Sequence, residues 1–352
     1  MGDDGAGAFR IDKRSQSARA AAKAGWWGAT AVVARRITRA GRAGPQPISP
    51  VADPAPEGFV QRAWREAFEK DARDVGLGLY PPMGQGMVNP FTALHEAADL
   101  IADARQVDER RRRGGAVEAR DDAPAQGAYP SYYRQNFHFQ SGGWFTARSA
   151  RRYHAQVEVL FAGTAGAMRR RALSLLAAAW RERDHRGATI IDLACGSGDF
   201  LTDLETTFPR ALLIGADLSP AYLKEARRRS GLTAMLQTNA ERLPFADNRI
   251  DALTCIYLFH ELPPRVRSIV AREIARVLKP GGLLAFADSI QPDDEPRLGR
   301  LLEVFPAYFH EPYYASYSHT DLAALFAGAG LVQVAEDRAF LTKALLFEKP
   351  WL

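Results

Sequence analysis

Cysteine is scarce, with only Cys195 and Cys255 among 352 residues, each inside an apolar strand pattern. Two such thiols exclude a disulfide framework and suit a reducing, cytoplasmic setting. Long apolar runs are missing too. The longest uncharged N-terminal piece, Ala24 to Ala34, falls short of the roughly 20 residues a membrane-spanning helix needs, so no transmembrane segment is expected. No metal cluster is visible, and no metal is expected. The net charge, +5 from 46 Lys and Arg against 41 Asp and Glu, is too small and scattered to indicate a nucleic-acid partner. No acidic residue occurs from Lys13 to Ala52, where basic residues from Lys13 to Arg42 surround Trp26 and Trp27. That stretch reads as a flexible basic extension, with contact to an anionic membrane surface or a targeting segment as the alternatives, and Asp3 and Asp4 count against targeting.

What is present is a globular composition, 47% hydrophobic, long enough for one large domain and a smaller one. Residues 1–57 combine the basic extension with a linker, because Pro45, Pro47, Pro50, Pro54 and Pro56 crowd Gly44 to Gly58. Residues 58–185 form a helical and aromatic N-terminal cap region. Helical patterns cover Phe59 to Val75 and Pro90 to Arg105, the run Arg110 to Arg113 reads as an exposed loop, and one or two core-facing helices fill Gln156 to Ala179. Between them Tyr129, Tyr132, Tyr133, Phe137, Phe139, Trp144, Phe145 and Tyr153 follow no clear period. This segment is either a lid over a planar substrate or a small subdomain whose rings pack on the main domain.

Residues 186–352 alternate strand and helix patterns and close on a strand pair, Leu331 to Glu336 and Phe340 to Phe347, as in a doubly wound α/β sheet. Ala188 to Phe200 carries the most information. A β-branched run ends at Asp192, crosses Gly196 and Gly198, and enters a helix at Asp199. The glycines let a ligand approach the backbone, and the two carboxylates give the site negative charge. A dinucleotide would want a third glycine where Leu201 stands, and its phosphates would meet Asp199 at a cost on the order of 1 kcal/mol or more. A cationic ligand fits better. Asp217, 19 residues past Gly198, ends the strand Ala211 to Ala216 where an acidic side chain takes ribose hydroxyls. The strand Leu232 to Gln237 leads to Asn239-Ala240-Glu241-Arg242-Leu243-Pro244-Phe245, and the strand Ile250 to Tyr257 leads to Leu258-Phe259-His260-Glu261.

In this order the motifs resemble those of the class I S-adenosylmethionine-dependent methyltransferases. Ala194 replaces the first glycine of the usual Asp-x-Gly-x-Gly-x-Gly, Asn239 replaces an Asp, and Arg276 to Gly282 resembles the ubiquinone/menaquinone C-methyltransferase-like (methyltransferase type 11) branch. The resemblance spans about Ala188 to Glu348. It implies a Rossmann-like seven-stranded sheet of order 3-2-1-4-5-7-6, its seventh strand antiparallel, preceded by an N-terminal helical extension. It also implies S-adenosyl-L-methionine as cofactor, with Asp192, Ala194, Gly196, Gly198, Asp217, Leu218, Asn239, Ala240 and Tyr257 as binding positions. The Asn239 amide oxygen still accepts a hydrogen bond from an adenine amino group. No Asn- or Asp-Pro-Pro-aromatic motif follows strand four, which favours a small aromatic or lipid-like acceptor over a base or a glutamine. His260 and Glu261 are candidate catalytic residues where the acceptor must lose a proton, or else only a loop-to-helix junction. Trp144, His310, Tyr313 and Tyr314 are candidate substrate contacts. The competing functions are a non-catalytic S-adenosylmethionine-binding protein and a nicotinamide-dependent oxidoreductase.

Overall fold

The computed structural model describes residues 55–82, 129–231 and 234–351, with scattered positions between 22 and 32 and between 98 and 113. The linker from Gly44 to Pro54, most of the basic extension, most of the Pro90 to Arg105 pattern and Leu232 lie outside the described residues. Three helices precede the sheet: α1 (Phe59–Gly76), α2 (Ala147–Leu160) and α3 (Ala165–Ala179). The break between α2 and α3 falls at Ala162 and Gly163, both with positive φ. Then come β1 (Thr189–Leu193), α4 (Asp199–Thr207), β2 (Leu212–Asp217), α5 (Pro220–Ser230), β3 (Met235–Gln237), β4 (Ile250–Ile256), α6 (Pro264–Val277) and β5 (Leu278–Ser289). The chain continues through α7 (Gly299–Tyr308), the short α8 (Tyr314–Tyr317), α9 (Leu322–Ala327), β6 (Val332–Ala339) and β7 (Thr342–Glu348).

The sheet order is β3-β2-β1-β4-β5-β7-β6, parallel except where β7 pairs with β5 and β6. This is the doubly wound seven-stranded order expected from the motifs. Helices cover both faces, so the central strands lose their polar alternation: Ile190, Ile191, Ala252, Leu253, Leu284 and Ala285 are all buried. Lys279 to Gly282 is a bulged entry to β5, where the pairing register shifts and Gly281 donates to the Lys349 carbonyl at 2.7 Å.

Two other expectations change. Arg110 is helical and buried and donates to the Phe139 carbonyl at 2.6 Å, so the Arg110 to Arg113 run is not an exposed loop at its first residue. Within the presumed flexible extension, residues 25–30 are helical and Trp27 is fully buried, edge-on to His154 at 6.1 Å.

Helix α3 crosses the sheet and anchors α1 to it through buried charge. Arg170 holds Asp71 bidentately at 2.6 and 2.7 Å, while Arg171 reaches Asp74 and the Tyr80 hydroxyl, both at 2.7 Å. Burial pushes the Asp71 carboxyl up, but the Arg170 guanidinium outweighs it and holds the group below its ordinary 3.8. Asp71 therefore contributes stability above about pH 4, and this is lost as pH falls through its folded value. Removing one member strands a buried charge, so Arg170→Met should lower unfolding free energy by about 3–5 kcal/mol in denaturant melts at neutral pH. A change within error would show that the network is not what docks α1.

Candidate functional site

From β1 the chain passes to β2 on one side, whereas β4 and β5 build the sheet on the other, and the crevice opens beyond the C-terminal ends of the strands where the order reverses. Among the described residues, a cleft lies there. Its floor is the turn after β1, where Ala194, Gly196 and Gly198 have φ of 58, 55 and 83°. Gly196 N–H and Ser219 N–H both donate to Asp217, at 2.9 and 2.8 Å. Burial pushes the Asp217 carboxyl up to about 6 despite those two bonds. Asp192 receives the Thr254 hydroxyl at 2.6 Å, and its other oxygen is buried without a partner. Burial lifts it to about 7.

Asp199 behaves differently. Burial works against its charge, but His154 and Arg229, each 2.8 Å away, and Arg169 behind them hold the carboxyl well below the usual range. Its negative charge is matched inside the protein, so the expectation that Asp199 helps select a cation needs correcting. The carboxylates left facing the cleft are Asp192, Asp217 and Glu261.

Leu218, Asn239, Ala240 and Tyr257 also line the cleft. The Asn239 amide oxygen accepts from Glu241 N–H at 3.0 Å, leaving one lone pair. Tyr257 hydrogen-bonds the Thr342 hydroxyl and stacks on Phe161 at 6.5 Å. Gly198 does not line the cleft. A Cβ there would lie 2.8 Å from the Ala226 Cα, so this glycine lets α4 and α5 approach each other.

The roof comes from the cap. Tyr132, Tyr133, Trp144 and Tyr153 line the cleft together with Tyr222 of α5. Trp144 stands edge-on to Tyr153 at 5.5 Å and Tyr222 at 5.4 Å, stacks on Phe137 at 5.9 Å, and its carbonyl accepts the Ser219 hydroxyl. The rings thus pack on the main domain and also face the cleft.

The far wall is the turn Phe259–Glu261. His260 is buried behind it, its Nδ1 2.5 Å from Asp288. Burial opposes a charged ring there, but the Asp288 carboxylate prevails and raises His260 to about 9. Glu261 lines the cleft and His260 does not. The other three proposed substrate contacts lie outside the lining: His310 meets Gln135 at 2.8 Å, Tyr313 meets the same amide at 3.3 Å, and Tyr314 meets Ser289 at 2.7 Å. Sequence reasoning missed Arg169, His138 and Tyr222. Three successive arginines in an otherwise apolar helix were the available signal for the first, and nothing local marked the other two. Among the described residues no group of His, Cys, Asp and Glu is arranged to hold a metal ion, and no helix is long and apolar enough to cross a membrane.

The two turn glycines should respond differently to a methyl group. Gly198→Ala combines positive φ with an overlap on Ala226 and should cost about 2–4 kcal/mol. At Gly196 the nearest atom to an added Cβ is 4.0 Å away, so Gly196→Ala should cost only backbone strain, about 1–2 kcal/mol. Equal losses in denaturant melts would remove the packing role given to Gly198.

A methyltransferase-domain family matches residues 190–282. A ubiquinone/menaquinone biosynthesis C-methyltransferase from Desulfotalea psychrophila is 35% identical over 170 residues, covering 43% of this chain and 68% of that protein. A demethylmenaquinone methyltransferase from Deinococcus radiodurans is 31% identical over 137 residues, covering 38% of this chain and 54% of that protein. The chain thus spans about two thirds of the first relative's length and about half of the second's. Among solved structures, an S-adenosylmethionine-dependent methyltransferase from Aquifex aeolicus is similar at 19% identity and a TM-score of 0.36, over 49% of this chain and 88% of that one. Neither the nicotinamide reading nor the non-catalytic one is favoured by these relatives. The chain belongs to the class I S-adenosylmethionine-dependent methyltransferases, in the branch of the ubiquinone/menaquinone biosynthesis C-methyltransferases.

Proposed function

We propose that the cleft carries methyl transfer to a small aromatic acceptor seated between the cap rings and Glu261. The supporting observation is the division of the lining, with the carboxylates Asp192, Asp217 and Glu261 set against the rings of Tyr132, Tyr133, Trp144, Tyr153 and Tyr222. The cofactor supplies an electrophilic methyl group on a sulfonium.

Two orphaned polar atoms fit its methionine end. The free oxygen of Asp192 and the Arg169 Nε are both buried without hydrogen-bond partners, and such groups are costly unless a ligand completes them. Asp192 would take the ammonium and Arg169 the carboxylate. Asp217 keeps lone pairs for ribose hydroxyls beyond its two backbone donors, and Asn239 with Ala240 would meet the adenine edge. Gly196 lets the backbone come close, while Ala194, Leu218 and Tyr257 shape the walls. Trp144 and the tyrosines would exclude water and stack on the acceptor ring. The relatives' names speak of quinone biosynthesis, and a reduced quinone ring suits this apolar roof, whereas His310, Tyr313 and Tyr314 would support the wall from behind.

Isothermal titration calorimetry and transfer of labelled methyl to a reduced prenylated naphthoquinone test the reading. Absence of S-adenosylmethionine binding would overturn it. Asp217→Asn should weaken cofactor binding by about 1.5–3 kcal/mol, the scale of a hydrogen bond to a charged group. The pH dependence has a definite sign. Asp192 is raised to about 7, so near neutrality part of the protein holds a proton there, and a bound cation favours its release. Affinity should rise with pH through about 7, with proton release visible in buffers of different ionisation heat. Asp192→Asn should abolish that release, and an unchanged proton count would place the ammonium elsewhere.

A further inference from the structure

Where the cap meets the sheet, five proton-carrying side chains form a row: Asp288, His260, Glu261, His138 and Glu311. Glu261 Oε1 lies 3.9 Å from His260 Nε2 and 3.8 Å from His138 Nε2, and His138 Nδ1 lies 3.1 Å from Glu311. Only Glu261 of the five lines the cleft. Glu311 is buried, and burial pushes its carboxyl up to about 7 although His138 and His260 pull the other way. The cap holds its histidine under strain. His138 and Phe139 have φ of 56 and 55°, values that side chains other than glycine rarely adopt, and His138 N–H is tied to the His310 carbonyl at 3.3 Å. Across the cleft Glu261 faces Asp217 and the phenols of Tyr133, Tyr153 and Tyr222, while His310 stands beside His138.

Glu261 thus sits between two imidazoles. A proton it accepts needs somewhere to go. The buried pair on its cap side offers that place, across gaps that a small rotation or a bridging water closes.

We infer that His138 and Glu311 hold, during methyl transfer, the proton that Glu261 takes from the acceptor's ring hydroxyl; this rests on the methyl-transfer reading above. The O–H bond breaks toward Glu261 and the proton is stored on the His138–Glu311 pair. The ring carbon beside the oxyanion forms a C–C bond to the methyl group as the S–CH3 bond breaks, its electron pair staying on sulfur. The methylated carbon then gives its ring proton to water, aromaticity returns, and the oxygen recovers the stored proton. One proton is released to solvent overall. Glu261 is the catalytic residue, and His138 and Glu311 are positioning residues that set its proton affinity.

Two measurements test this on the full chain. With reduced 1,4-naphthoquinone as acceptor, Glu261→Gln should lower kcat about 100-fold or more, while His138→Gln and Glu311→Gln should lower it about tenfold and displace the acidic limb of the pH profile. Cofactor affinity should stay at the wild-type value in all three. The second measurement needs no turnover. 4-Nitro-1-naphthol is strongly coloured as its anion, so absorbance reports its ionisation when bound with S-adenosylhomocysteine. Its midpoint should fall by about one pH unit in Glu261→Gln, which removes a like charge, and rise in His138→Gln, which removes a cation. The relay is overturned by wild-type pH profiles in both His138→Gln and Glu311→Gln, by an unmoved naphthol midpoint, or by wild-type enzyme that methylates no ring-hydroxylated naphthalene. Should His138→Gln fail to fold, Glu311→Gln decides. Failure of wild-type cofactor binding would instead remove the underlying methyltransferase site.

Discussion

Two backbone N–H groups converge on Asp217, and much of the site is built outward from that carboxylate. One comes from Gly196 in the turn after β1, the other from Ser219 at the start of α5. They tie together the ends of the neighbouring parallel strands β1 and β2, beside the Cys195 N–H that donates to the Ala216 carbonyl at 3.0 Å. Ser219 extends the tie, capping α5 through Tyr222 N–H and donating its hydroxyl to the Trp144 carbonyl. A strand end, a glycine turn, a helix cap and the aromatic roof are therefore one connected object. The cap region is joined to the nucleotide-binding side of the sheet by hydrogen bonds as well as by ring packing.

Electrostatics divides the same region into matched and unmatched charge. Asp199 has His154 and Arg229 each 2.8 Å away, whereas Asp192 has a hydroxyl and one vacant oxygen. Both are buried carboxylates at the ends of one turn, yet one is driven well below its ordinary range and the other up to about 7. Burial is common to the two. What differs is the neighbour, and a sequence shows no neighbour that lies thirty or more residues away.

The same reason explains what could be read in advance. The glycine turn between Asp192 and Asp199 and the strand end at Asp217 were legible because they are local: period, spacing and glycine positions act over a few residues, whereas the strand order came with the family resemblance. The bulged entry to β5 was not legible, since distant residues make it: the register shift lies against Ile250 and Ala252 of β4, and Gly281 donates to the carbonyl of Lys349, just past β7. Gly198 was assigned to the ligand because its partner, Ala226, belongs to another helix. Tyr313 and Tyr314 suggested a binding surface by composition alone, but their hydroxyls are taken by Gln135 and Ser289. The cleft-facing tyrosines come from the aperiodic segment, where no period tells which ring turns inward.

Arg169, Arg170 and Arg171 stand side by side in α3, all three buried, and each has its own partners: the cleft for the first, Asp71 and Asp203 for the second, and Asp74 and Asp337 for the third. A helix turns about 100° per residue, so three consecutive long side chains sweep most of its circumference. One inserted residue upstream in this helix would rotate all three away from their partners at once. Substitutions of similar size should be tolerated along the rest of α3 far more readily than any change in its length. The reading frame of this helix is a structural quantity, fixed at three azimuths by three guanidinium groups.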